Sequence, residues 1–194
     1  LTNKHVIENL EYIVVRNGLG EIRYVDEIRE SISDDLAVLT LSEPYPAEYS
    51  LNINDFRIGD TGTNIYVIGY PMSSIFGSFH PTITEGIISN PLGFGERYGE
   101  FQITAKVNPG NSGGPIFDKY GNIVGIVTGK VDSEKVLENE GFIPEDINYA
   151  VKTDRVLSFL NQPINASLGK GYEYDSASLY KHMRSAIVLV VGQK

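Results

Sequence analysis

The residues with the most chemical content lie in Asn108-Pro109-Gly110-Asn111-Ser112-Gly113-Gly114-Pro115. Three glycines and two prolines surround one serine, between apolar runs that read as strands. Glycine costs backbone entropy on folding and adds nothing to a core, so its density here marks a sharp turn with exposed N–H groups. A serine hydroxyl at such a turn, two residues after Gly110, has the makings of acyl transfer: a nucleophile beside donors for an oxyanion. The same octapeptide also fits a plain glycine-rich turn. Upstream stand two further candidates, His5 and the pair Asp34-Asp35. A lone histidine is most often structural or exposed. The carboxylates sit at the mouth of the apolar strand Leu36-Ala37-Val38-Leu39-Thr40-Leu41, where a partly buried charge needs a partner; one is expected to face inward and the other water.

Chain order separates two readings of the serine. Gly110-Asn111-Ser112-Gly113-Gly114 matches the G-x-S-x-G elbow of α/β-hydrolases, which requires a helix directly after the serine, then an acid and a later histidine. Here Ile116-Phe117, the polar turn Asp118 to Asn122 and Ile123 to Val127 read instead as strand, turn, strand. The later histidine would be His182, in the charged helical stretch Lys181-His182-Met183-Arg184, and is expected to be exposed. His80, in a loop beside Pro81, is expected to be solvated. The order histidine, aspartate, serine is the one the chain offers.

The elements that must hold these groups are short strands. Tyr12 to Val15 and Ile22 to Val25, punctuated by Asn17-Gly18 and Leu19-Gly20, read as a hairpin or meander. A connector over 43–60 separates them from a second β run that begins at Phe56. Roughly ten short strands at about ten-residue spacing, in two runs, predict two small β-barrels rather than βαβ units. Thr153 or Asp154 is placed to cap a short helix, Arg155 to Leu160. After a linker from Asn161 to Asp175, Ser176 to Ser185 reads as a short amphipathic helix and Ala186 to Val191 as a strand.

Composition sets the outer limits. The 194 residues suit one domain or two small lobes sharing a cleft. A net charge of −9 argues against nucleic acid and anionic membranes as partners. No cysteine is present, so no disulfide staples the fold and the redox compartment is not revealed. The longest clean apolar run, Ala186 to Val191, is too short to span a bilayer. No secretory n-region or h-region is visible at Leu1, where the chain opens in mid-element, and no compartment is legible.

Thr2-Asn3-x-His5-Val6, Asp35-Leu36-Ala37-Val38-Leu39 and Gly110-Asn111-Ser112-Gly113-Gly114-Pro115 resemble the three catalytic motifs of chymotrypsin-fold serine proteases, and most of all the cysteine-free HtrA (Deg) branch. Ile68 to Pro71, Thr84 to Ser89, Asn108-Pro109 and Tyr149-Ala150-Val151 resemble strand signatures of that branch. The likeness covers about residues 1–160, with the motifs in order and separated by 30 and 77 residues.

The resemblance implies an all-β fold of two antiparallel six-stranded barrels with the catalytic cleft between them, lobe one at about 1–45 and lobe two at about 56–152. Residues 161–194 then form a linker with a helix-strand tail. It implies a serine endopeptidase in which Ser112 attacks, His5 moves the proton and Asp35 orients the imidazole. The oxyanion falls to the N–H groups of Gly110 and Ser112, with no metal and no cofactor. Lys106, six residues before the serine, falls at the base of the primary specificity pocket. Thr128, Gly129 and Lys130 fall where polypeptide substrates pair in extended form.

Two departures accompany the likeness. The strands that precede the first motif in the family do not precede it here, so the first barrel is expected to be incomplete. Only 34 residues follow Leu160, where the family usually carries a PDZ domain. The helix running into a strand in the tail resembles the segment that opens an HtrA protease domain, and the tail strand is expected to fill part of the first-lobe gap. The alternative function is an inactive or truncated protease-fold module that binds peptides.

Overall fold

The computed structural model describes residues 1–72, 80–130, 147–163 and 171–193, with the backbone alone at Lys130. The acidic stretch from Asp132 to Asp146, and parts of the Met72–His80 and Asn161–Asp175 connections, lie outside the described residues.

The first half is a four-stranded antiparallel sheet. Its strands are β1 (Glu11–Asn17), β2 (Ile22–Glu30), β3 (Ala37–Leu41) and β10 (Val188–Gln193), in the order β10-β1-β2-β3. The β1–β2 turn is built by Asn17, whose side-chain oxygen accepts from the N–H groups of Leu19 and Glu21 at 3.0 and 2.9 Å. This Asx geometry is what makes Asn-Gly a turn former.

The second half is a closed six-stranded barrel. It contains β4 (Asn64–Gly69), β5 (Thr82–Asn90), β6 (Glu100–Ile103), β7 (Pro115–Asp118), β8 (Ile123–Lys130) and β9 (Asn148–Lys152), in the order β4-β5-β6-β9-β8-β7. Closure gives every strand a neighbour on both sides, though not along its whole length. Period-2 alternation sorts its side chains into two cores. Ile65, Val67, Ile103, Ile116 and Val127 fill the barrel. Phe117, Ile126 and Val151 point outward and pack with Leu36 of the first half and with the C-terminal segment. The expected β pattern at Phe56 to Asp60 reduces to an isolated bridge between Phe56 and Ile123.

Helix α2 (Thr153–Phe159) follows β9 and buries Val156 and Leu157. Its N-cap is Lys152 and makes no side-chain cap bond. The expected caps are otherwise engaged: the Thr153 hydroxyl turns inward toward the Ile123 carbonyl, and Asp154 accepts from the Arg155 N–H. Helix α3 (Ser176–Met183) is capped by Asp175, which accepts from the Ser178 N–H at 2.7 Å. Leu179 and Met183, one turn apart, bury against the shared core.

The tail strand lies two residues later than expected, and β10 pairs with β1 through Val14↔Val191, Val15↔Val190 and Arg16↔Leu189. The path of the chain into β10 requires a glycine at position 18, because a Cβ there would lie 2.2 Å from the Arg184 carbonyl oxygen. The sheet remains open between β10 and β3, so the incomplete first barrel is found as expected. No helix among the described residues is long and apolar enough to cross a membrane.

Candidate active site

Short-range geometry brings His5 and Asp35 together. Thr2 and Ala37 exchange two backbone hydrogen bonds, at 2.9 and 2.8 Å. This antiparallel bridge sets the segment after Thr2 against the segment before Ala37. The single turn α1 (Lys4–Ile7) then presents His5 to Asp35. The Asp35 carboxylate accepts from the His5 N–H at 3.0 Å and meets His5 Nδ1 at 2.6 Å. Fully buried Asn3 donates through Nδ2 to the Asp35 carbonyl at 2.7 Å, fixing the backbone between them.

The electrostatics follow from these bonds. The hydrogen bond and charge of Asp35 raise His5 above its ordinary pKa, against the opposing effect of burial. Burial pushes Asp35 up, but the bonds from His5 and Thr128 outweigh it and leave Asp35 lowered. The carboxylate is thus ionised across the neutral range, and Nδ1 of a neutral imidazole carries the proton that faces it, leaving Nε2 able to accept one.

Ser112 sits in a tight loop from Asn108 to Gly114. The loop is closed by the Asn111 N–H to Asn108 carbonyl bond at 3.0 Å and tied to β8 by the Gly113 N–H to Val127 carbonyl bond at 2.8 Å. Gly110 has a φ of +99°, and a Cβ there would lie 2.3 Å from the Tyr70 carbonyl oxygen. Both facts exclude a side chain at that position. The carbonyls of Pro109 and Gly110 accept from Met72 and Tyr70. Among the described residues, the N–H groups of Gly110 and Ser112 have no acceptor. Bare donors beside a serine hydroxyl are suited to holding an anion.

His5, Gly110 and Ser112 line one cavity of about 290 Å³, lined also by Tyr70 and the entry to β10 from Ile187 to Val190. Burial pushes the Tyr70 hydroxyl up to about 12, so it stays protonated and cannot act as a base. Among the described residues no three His, Asp or Glu side chains gather as a metal site.

The remaining sequence candidates divide. Thr128 turns its hydroxyl to Asp35 Oδ2 at 2.9 Å, so its side chain supports the carboxylate and is not offered to a substrate. The backbone at Gly129 and Lys130 pairs with Tyr149 and Asn148 on one side. The last β7 pair is Pro115↔Ile126, so the other edge of β8 is free of strands among the described residues from Thr128 onward. The Lys130 side chain lies outside the described residues.

Lys106 is exposed. Asp34 does not face water: its carboxylate is 14% exposed and paired with Arg155. His80 is exposed, and so is His182, which stacks on Tyr174 at 5.4 Å. The Thr128 and Arg155 contacts were missed from sequence, which holds no local signal for either.

Comparison with known proteins is consistent across three levels. The trypsin-like peptidase domain family matches residues 1–126. The uncharacterized protein y4bJ of Sinorhizobium fredii is 35% identical over 161 residues, covering 82% of this chain and 25% of that protein. The serine endoprotease DegS of Escherichia coli K12 is 32% identical over 158 residues, covering 78% of this chain and 41% of DegS. Among solved structures, the serine endoprotease from Yersinia pestis superposes with a TM-score of 0.63 at 30% identity, over 82% of this chain and 51% of that one. The HtrA-type protease AlgW, solved with a decapeptide, gives 0.60 at 28% identity, over 82% and 47%. The chain thus spans between a quarter and about half the length of these relatives.

Proposed function

The chain belongs to the trypsin-like peptidase family, with HtrA and DegS serine proteases among its relatives, and from that premise we propose that it is a serine endopeptidase acting through an acyl-enzyme. The observation that carries the reading is a shared cavity: His5, bound through Nδ1 to Asp35, lines the same space as Ser112 and Gly110.

In this mechanism His5 Nε2 takes the Ser112 proton as Oγ attacks the scissile carbonyl, and Asp35 stabilises the imidazolium that forms. The N–H groups of Gly110 and Ser112 receive the oxyanion, each contributing about 3 kcal/mol to lowering the barrier. His5 returns the proton to the leaving amine, and water then repeats the cycle to release the acid. An extended polypeptide lies along the free edge of β8 from Thr128 to Lys130, its main chain satisfied by strand addition.

A second reading, a module that binds peptides without turnover, is favoured by one feature. The first sheet is open beside the site, and the apolar residues Ile187 to Val190 wall the cavity. Turnover of an unfolded protein substrate separates the two. Cleavage by the wild type and none by Ser112→Ala supports the endopeptidase. Saturable peptide binding with no cleavage by either supports the module.

A further inference from the structure

Asp34 and Asp35 are neighbours, yet each reaches a different part of the molecule. Asp35 holds His5 of the first half and Thr128 of the barrel. Its catalytic geometry therefore depends on how the two halves sit together. Asp34 meets Arg155 of α2 in a two-pronged pair, with Nε to Oδ1 at 2.9 Å and Nη2 to Oδ2 at 2.9 Å. Ser33 closes the cluster by donating to Asp34 Oδ2 at 2.7 Å and accepting from Arg155 Nη2 at 3.2 Å. The turn is braced from within by the Leu36 N–H to Asp34 carbonyl bond at 2.9 Å. A second arginine repeats the link: Arg29 of β2 donates to the Phe159 carbonyl at 2.9 Å and lies over the Phe159 ring at 4.4 Å.

We propose that Asp34 and Arg155 are a positioning pair for the active site: their fork pins the turn before β3 to α2 and so holds Asp35 within bonding distance of both His5 and Thr128. The inference rests on the endopeptidase reading for its catalytic consequence and on geometry alone for its effect on His5.

The physical grounds are specific. A guanidinium meets a carboxylate in one plane through two parallel bonds, which restricts orientation as well as distance. The Asp34 carboxylate is 14% exposed and the Arg155 side chain 40%, so the pair is half-buried and only partly screened. Burial pushes Asp34 up, yet the fork and the Ser33 hydroxyl bring it below its ordinary value, so it stays charged. Catalytic geometry tolerates little error, since a displacement of about 1 Å costs on the order of 100-fold in rate. A turn released from α2 lets Asp35 back away from His5 while the barrel core, which does not include Asp34, remains packed.

The test uses Asp34→Asn, Arg155→Met and the double variant in the full chain, with thermal unfolding to check folding. The first readout is the His5 titration by NMR in a Ser112→Ala background, which needs no activity. Besides Asp35, the charged group acting on His5 is Glu8, which follows α1 and is left intact. The pair predicts that His5 titrates at lower pH in each single variant and that the double variant is no worse than either single. The second readout is peptide turnover: kcat falls by about ten-fold with KM changed less than two-fold, and the acid limb of kcat/KM moves to lower pH. Arg155→Lys, which keeps the charge but not the fork, replaces Arg155→Met if that variant does not fold.

Folded variants with unchanged His5 titration and unchanged turnover overturn the positioning pair and leave the endopeptidase reading standing. A folded wild type without turnover overturns that reading, and the His5 titration then decides the positioning pair by itself.

Discussion

At the scale of single residues, the hydrogen bond between His5 Nδ1 and Asp35 Oδ2 sets the pH behaviour. Because Asp35 raises His5, the acid limb of kcat/KM should lie above the ordinary histidine value of about 6.5. Asp35→Asn should move it down. The same bond links to stability. A raised His5 contributes fully below about 6.5 and loses that contribution as pH rises through its folded value, while a lowered Asp35 contributes above about 3.9 and loses it as pH falls through its own folded value. The stability difference between wild type and Asp35→Asn should therefore be largest near about pH 5 and shrink toward pH 8, read by denaturant titration at several pH values. Ser112 and His5 act as one unit in the proposed reaction, so Ser112→Ala, His5→Ala and the double variant should lower kcat by similar factors. Multiplicative losses would contradict a shared proton transfer.

At the scale of elements, the C-terminal segment is part of the core. Leu179 is fully buried and Met183 and Ile187 nearly so, in one cluster with Phe117 and Ile123 of the barrel. Leu179→Ala should cost about 2–5 kcal/mol in chemical denaturation. Val191, 47% exposed at the outer strand, should cost under about 1 kcal/mol on the same change. Gly18→Ala should destabilise strongly through the Arg184 carbonyl, and ending the chain at residue 175 should remove that penalty along with the stability α3 and β10 supply. A Gly18→Ala effect that persists in the shortened chain would show that the clash is not its cause. The tail strand was legible as a strand because six apolar residues run together. Its place in the first lobe was expected, but not its pairing with β1, because apolar composition states that a strand is buried and not which edge it meets. The two-residue displacement, to Val188–Gln193, leaves Ala186 and Ile187 in the approach from α3.

At the scale of the whole molecule, the second barrel is closed and the first sheet is not. A cavity of about 380 Å³ is lined by Val15, Leu39 and Val190 of the open sheet together with Ile123 and Ile126 of the barrel. Most of the architecture was legible because strand spacing and glycine turns are local signals, and so was the histidine-aspartate-serine order. What was not legible joins distant positions: Thr128 meets Asp35 across 93 residues, and Arg155 meets Asp34 across 121. Nothing in the local pattern says that one aspartate takes a hydroxyl from the barrel and the other a guanidinium from α2, so the second was expected in water. Lys106 illustrates the converse: resemblance alone places it at the base of the specificity pocket, and its side chain is exposed. A peptide-library cleavage profile should accordingly show no preference for acidic residues and no change in Lys106→Ala. The central claim, that Ser112 is a nucleophile activated by His5, is tested most directly by mapping the adduct of a fluorophosphonate by mass spectrometry. A single modified residue, Ser112, is expected in the wild type and no adduct in His5→Ala. An adduct on another serine, or undiminished modification of Ser112 in His5→Ala, would contradict it.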